Sequence, residues 1–155
     1  MILAPRMTMV TLGVSDLVLA TKFYQETLGW TKTSSSTDNI SFFSLPGNAM
    51  LLSLYPTDKL ADDVGMHSSA ILPATTTAAT GQPYFRGFTL AYCTQSIEEV
   101  DQIFAALRSK GATIVKEPEK AFWGGYSGYM ADPDHNLWEI AHNPYLQMDA
   151  HGNLV

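Results

Sequence analysis

The sequence predicts an α+β chain built from two similar halves in tandem. Three observations carry this. The order strand–helix–strand–strand–strand is legible twice, a glycine (Gly29 or Gly111) closes the helix of each copy, and a stretch at 56–83 bearing Pro, Thr and Ala separates the copies. Identity between the halves is low, so the repeat is one of pattern rather than of matched residues.

The first half, 1–55, opens with an alternating run over Met7–Val14. Val10, Leu12 and Val14 fall on one face, and Met9, Thr11 and Gly13 on the other, as in a half-buried strand. Asp16 follows, a residue whose carboxylate accepts the orphan N–H groups at a helix start. Ala20, Phe23, Tyr24 and Thr27 keep helical spacing, and Gly29 supplies the φ > 0 conformation that often ends a helix. Short β-like runs follow at Thr31–Thr33, Ile40–Leu45 and Met50–Tyr55, with a turn expected at Gly47-Asn48.

The stretch 56–83 reads as a linker or a cleft-covering loop, with a short helix around Lys59–Asp63. The second half, 84–146, then repeats the order. Phe88–Thr94 is strand-like, and Ser96 and Glu99 form a Ser-x-x-Glu capping box. Val100, Ile103, Phe104 and Leu107 make one apolar helical face. Arg108 and Lys110 suit the negative helix end, and Gly111 terminates it. Three more strands are expected at Thr113–Val115, Tyr126–Ala131 and Leu137–His142, the last two joined by the turn Asp132-Pro133-Asp134-His135-Asn136. The tail, 147–155, is polar, fitting the surface or a partner subunit.

Composition narrows the function. Of 155 residues, 46% are hydrophobic, enough for a core and against disorder. Charged residues are only 15%, below the roughly 25% usual for soluble domains, so some surface is neutral or apolar, as at a homodimer interface. A net charge of −6 without a basic run argues against nucleic-acid binding. Cys93 is the single cysteine, which excludes an internal disulfide and a Cys-rich zinc site. No stretch approaches ~18 consecutive apolar residues, so a membrane partner is not expected and a cytoplasmic location is.

Thr11-Leu12-Gly13-Val14-Ser15-Asp16-Leu17, then Phe23-Tyr24 and Leu28-Gly29-Trp30, resemble the opening of vicinal oxygen chelate proteins. Asp132 through Ile140 (DPDHNLWEI) resembles their closing strand pair. The superfamily includes glyoxalase I, extradiol dioxygenases and bleomycin-resistance proteins. The resemblance covers nearly the whole chain outside 56–83. It implies two tandem βαβββ modules whose curved mixed sheets form a cleft, and often a homodimer.

Enzymes of that superfamily hold a divalent metal with four side chains from cleft-facing strands. Carried over one position at a time, these fall on Met9, on Leu52 or Ser53, on Thr89 (or Phe88 in the neighbouring register) and on Glu139. Only Glu139 is a good ligand for a hard or borderline cation. A thioether, a hydroxyl and an alkyl chain do not complete a zinc, nickel or iron site. No metal is therefore expected. Of the histidines, His135 lies in the turn, where many relatives have Gly and where φ > 0 is expected. His142 falls on the face opposite Glu139, and His151 is in the tail. His67, in the linker, is the outside candidate for a ligand.

Alternation places Leu137, Glu139 and Ala141 on one face and Trp138, Ile140 and His142 on the core face. Glu139 then points into the cleft, available as acid, base or hydrogen-bond acceptor; the bland alternative is a solvated carboxylate on a sheet face. In the Gly-rich stretch Phe122–Tyr129, Tyr126 and Met130 fall with the core and Ser127 and Tyr129 with the cleft, while Trp123 is expected near its rim.

Metal-free binding of a small, partly aromatic or apolar molecule by Met9, Thr89, Trp123, Tyr129 and Glu139 is the expected function. The alternative is a lyase, isomerase or dioxygenase-type enzyme. It would use Glu139 as a general base, or a divalent metal (zinc, nickel, manganese or iron) held by Glu139 and an unpredicted ligand such as His67. A dimeric interaction module without a ligand is the third reading.

Overall fold

The computed structural model describes residues 7–45, 50–66, 71 and 76–155. The turn expected at Gly47-Asn48 and His67 lie outside them. The chain divides into two compact units, Met1–Ala74 and Thr75–Val155.

In the first unit, β1 (Met9–Val14), β2 (Ser41–Leu45) and β3 (Met50–Pro56) form a sheet of order β1-β3-β2, with β1 parallel and β2 antiparallel to β3. Helix α1 (Leu17–Lys22) starts where expected: the Asp16 carboxylate accepts the Leu19 N–H at 2.9 Å. From Phe23 to Thr27 the helix widens into a π-turn, in which the Leu28 N–H reaches the Phe23 carbonyl at 3.2 Å. Gly29 then takes φ 75°. Leu12, Val14, Ala20, Phe43, Leu52 and Leu54 are buried with Tyr24, whose ring stands 5.6 Å from both Phe43 and Trp30. Each such large side chain contributes about 1.5–3 kcal/mol by leaving water.

Two expectations for this unit need correcting. The run Thr31–Thr33 forms no strand; it holds one isolated bridge, Lys32 to Phe43. The chain turns away at once, because Ser36 Oγ takes the Phe42 N–H at 2.9 Å that a neighbouring strand would have used. The helix placed around Lys59–Asp63 begins earlier: α2 spans Thr57–Asp63. It sits so close to β1 that a Cβ on Gly13 would lie 3.0 Å from Thr57 Oγ1.

The second unit has the full β-α-β-β-β order. Strands β4 (Leu90–Thr94), β5 (Thr113–Lys120), β6 (Tyr126–Ala131) and β7 (Leu137–His142) make a sheet of order β4-β7-β6-β5, with β4 parallel to β7 and the other pairs antiparallel. Helix α3 (Ile97–Ser109) is capped by Ser96 Oγ, which accepts the Glu99 N–H at 3.2 Å. The Glu99 carboxylate answers one residue upstream of the usual position, on the Gln95 N–H at 2.9 Å. Val100, Phe104 and Ile140 form the core beneath α3, with Ile103, Ile114 and Tyr126 packed against it.

Strand limits differ from the sequence reading at both ends of this sheet. The strand expected at Phe88–Thr94 starts at Leu90, whose partner Trp138 is next to the first residue of β7. The strand expected at Thr113–Val115 runs on to Lys120. Pro118 is tolerated there because β5 is an edge strand with two register shifts, so no ladder bond is lost.

Two turns share one hydrogen-bond pattern. The Asp132 carboxylate accepts the Asp134 and Asn136 N–H groups at 2.9 and 2.8 Å and the Asn136 side-chain amide at 2.8 Å. In the tail, Asp149 does the same with His151, Asn153 and the Asn153 side-chain amide, at 2.8, 2.9 and 3.0 Å. The fourth position has φ > 0 in both: His135 at 60° and Gly152 at 81°. Among the described residues, no helix is long and apolar enough to cross a membrane.

Candidate functional site

The side of the second sheet facing away from α3 carries the candidate chemistry. Period-2 alternation along β7 puts Trp138 and Ile140 into the α3 core and turns Glu139 to the opposite side. Register then selects its neighbours. Ala91 on β4 and Tyr129 on β6 lie directly across from Glu139, and Cys93 follows Ala91 on the same face. Tyr129 and Glu139 thus stand side by side on neighbouring strands. Burial above all, then the hydrogen-bonding and charge influence of the Glu139 carboxylate, hold the Tyr129 phenol above its ordinary value of 10.0. Burial, then the charge of Glu139, likewise raises the Cys93 thiol above 9.0. Ser127 and Ala141, further along this face, are buried.

The residues singled out in the sequence distribute unevenly. Tyr129 and Glu139 come together. Thr89 precedes β4, is exposed, and stands two positions before Ala91, the partner of Glu139. Trp123 lies in the turn between β5 and β6, where its indole covers Gly125 and leaves no room for a side chain there. That turn is closed by the Ala121 N–H on the Gly125 carbonyl at 2.8 Å. Met9 is in β1 of the first unit and 40% exposed. His142 Nδ1 donates to the Thr94 carbonyl at 3.3 Å on the core side. The backbone N–H of His151 is held by Asp149.

The four positions at which metal-dependent relatives place ligands fit a cation poorly. Leu52 is buried on the helix side of the first sheet, which leaves Ser53 on the face of Met9. Ser53 is fully buried, and its hydroxyl lies 2.6 Å from that of Thr11. Thr89 and Met9 offer a hydroxyl and a thioether. Among the described residues, no group of three or more His, Cys, Asp or Glu side chains is arranged to hold a metal ion. Glu139, with Ala91 and Tyr129 opposite and Cys93 nearby, is a hydrogen-bond acceptor on this face.

Two features escaped the sequence reading. Cys93 is a single unpaired cysteine in the sequence, and β7's parallel pairing with β4 brings it near Glu139. The aromatic run Tyr84-Phe85-Arg86-Gly87-Phe88 borders a cavity at the other end of β7, and Glu139 is not in its lining. The signal for that run was its cluster of three aromatics and one cation immediately before a strand.

Residues 6–140 match the model of the Glyoxalase/Bleomycin resistance protein/Dioxygenase superfamily. A glyoxalase-related enzyme from Fulvimarina pelagi is similar in structure, with 26% identity, 98% of each chain covered and a TM-score of 0.78. A glyoxalase/bleomycin resistance protein/dioxygenase from Nocardioides is 23% identical over 92% of this chain and 85% of its own, with a TM-score of 0.72. Lactoylglutathione lyase from Agrobacterium tumefaciens is 17% identical over 90% of this chain and 95% of its own, at 0.62. No curated protein matches the chain.

Proposed function

The chain belongs to the Glyoxalase/Bleomycin resistance protein/Dioxygenase superfamily, and from that membership we propose that it binds a small, partly aromatic or apolar molecule at the Glu139 face without a metal ion. The placement of Tyr129 directly across from Glu139 carries this reading. Glu139 is the one retained carboxylate, and the other family positions hold Met9, Ser53 and Thr89, which are weak ligands for such cations. The proposed binding set is Met9, Thr89, Trp123, Tyr129 and Glu139. A lone carboxylate among Ala91, Cys93 and Ala141 suits a neutral or cationic ligand that donates to it.

The same pairing also favours a second reading, in which the protein is a metal-free lyase or isomerase. Glu139 takes a proton from the substrate, and Tyr129, at the facing position, returns one. A metal-dependent variant of this chemistry requires a ligand beyond the four positions, His67 being the candidate. The low charge content of 15% supports a homodimer of the 17.0 kDa chain.

Elemental analysis of protein purified without chelator, followed by calorimetric titration with zinc, nickel, manganese and ferrous iron, tests the metal-free reading. Neither bound metal nor tight uptake is the expected result, and stoichiometric tight metal overturns it. A thermal-shift screen of small neutral and cationic aromatics then finds the ligand. Loss of its affinity in Glu139→Gln places it at this face, whereas unchanged affinity removes Glu139 from the site. Light scattering at micromolar concentration tests the dimer, and a monomer refutes it.

A further inference from the structure

The turn end of the second sheet holds a cavity of about 330 Å³, at the small end of the range for ligand sites, about 300–1,000 Å³. Its apolar wall comes from two directions. Tyr84, Phe85 and Phe88 approach from the segment before β4, and Ile114, Ala131 and Leu137 belong to the sheet. Arg86 is the one formally charged side chain in this lining among the described residues.

Arg86 is held in place from below. Its Nη1 donates to Asn136 Oδ1 at 3.0 Å. The Asn136 amide donates in turn to the buried Asp132 carboxylate at 2.8 Å, and Asn136 is itself only 3% exposed. The bond to Asn136 engages one of the five guanidinium donors. A cation positioned in this way, bordered by three aromatic rings, is suited to an anionic head with an apolar body.

His135 also lines the cavity, and it does so in a conformation that L-residues rarely adopt, φ 60°. The tail turn shows that the same hydrogen-bond pattern forms with glycine at this position, as Gly152. A histidine held at φ > 0 costs about 1 kcal/mol, and strain retained in a cavity wall points to a role for the side chain there.

We propose that this hollow is a second binding site, for a small aromatic or apolar carboxylate, with Arg86 as the anion partner and His135 as a further donor at its edge. The net charge of −6 disfavours extended polyanions and leaves a compact monoanion as the occupant. The site is independent of the Glu139 face, whose lone carboxylate selects the opposite charge.

The test is an NMR titration of the full chain with naphthoate, and with the neutral naphthamide as control. Naphthoate is expected to shift the amides of Arg86, Ile114, Asn136 and Leu137 with saturation. Arg86→Gln is expected to weaken it by at least about tenfold, with naphthamide binding comparably weakly to the parent. Arg86→Lys, which keeps the charge, recovers part of the affinity and guards against a merely structural effect of losing the Asn136 bond. Glu139→Gln leaves naphthoate binding intact. Equal binding of naphthoate and naphthamide, unchanged affinity in Arg86→Gln, shifts centred on Tyr129 and Glu139, or no saturable shift overturns the proposal.

Discussion

Tyr129 and Glu139 face each other at directly paired positions of β6 and β7, and the carboxylate acts on the phenol. Each therefore reports on the other. A phenol beside a carboxylate loses its proton reluctantly, since ionisation sets two negative charges together.

Ultraviolet titration detects this directly. Three tyrosines, Tyr92, Tyr126 and Tyr129, should ionise above the ordinary 10.0, and Tyr129→Phe should remove one of the three components. Glu139→Gln removes the charge and weakens the acceptor, but burial, the larger cause, remains. The Tyr129 phenol should then titrate lower than in the parent and still above 10.0. The Tyr92 and Tyr126 components should stay in place, and if no component moves in Glu139→Gln the assigned pairing breaks.

Cys93 offers an independent probe of the same carboxylate. Burial and the charge of Glu139 both keep its thiol protonated, so alkylation by iodoacetamide should be slow at neutral pH, rise with pH, and level off only above pH 9.0. Glu139→Gln should move that rise to lower pH, since one of the two causes is gone. An unchanged rate profile would mean that the thiol does not sense the carboxylate.

The two Asp-centred turns make a matched pair for measuring backbone strain. His135→Gly relieves about 1 kcal/mol and adds about 0.5 kcal/mol of chain entropy cost, a net gain of about 0.5 kcal/mol in urea unfolding. Gly152→Ala should cost about 1 kcal/mol in the tail turn, seen as faster amide exchange at Asn153. A loss of stability in His135→Gly would show that the imidazole contributes more than its backbone costs.

Gly128 is a tight backbone position beneath α3. A Cβ there would stand 2.6 Å from Phe104 Cζ, 2.8 Å from Pro118 N and 2.9 Å from the Lys116 carbonyl oxygen. Two of these atoms are backbone and cannot rotate aside, so Gly128→Ala should destabilise by about 2 kcal/mol or more. Denaturant unfolding measures it, and a neutral result would mean that β5 moves off β6 at little cost.

Local chemistry made much of this fold legible in the residues. Asp16, Ser96 and the glycines at 29 and 111 act where their side chains, or lack of them, dictate, and the alternation of β7 gave the side on which Glu139 lies. What stayed hidden depends on partners distant in the chain. Strand β4 begins at Leu90 because of where β7 begins, nearly fifty residues on, and the pairing that sets Cys93 beside Glu139 is of the same kind. The Arg86–Asn136 bond spans 50 residues. The π-turn at Phe23–Thr27 left no trace in the spacing, since its apolar residues fit an α-helix equally well. The tail turn is different: Asp149 to Asn153 repeats the Asp-x-x-x-Asn pattern of 132–136, a signal present but not used.

Pro118 and the two register shifts on β5 matter beyond this one strand. An outermost strand with regular, unpaired N–H and C=O groups invites a second chain to add itself, the first step of aggregation. A chain with only 15% charged residues has little electrostatic repulsion to prevent this. On β5, a missing N–H and a broken ladder remove the template itself. The outer margin of the second sheet is thus guarded against strand addition by backbone geometry together with the charges of Lys116, Glu117, Glu119 and Lys120 on the same strand.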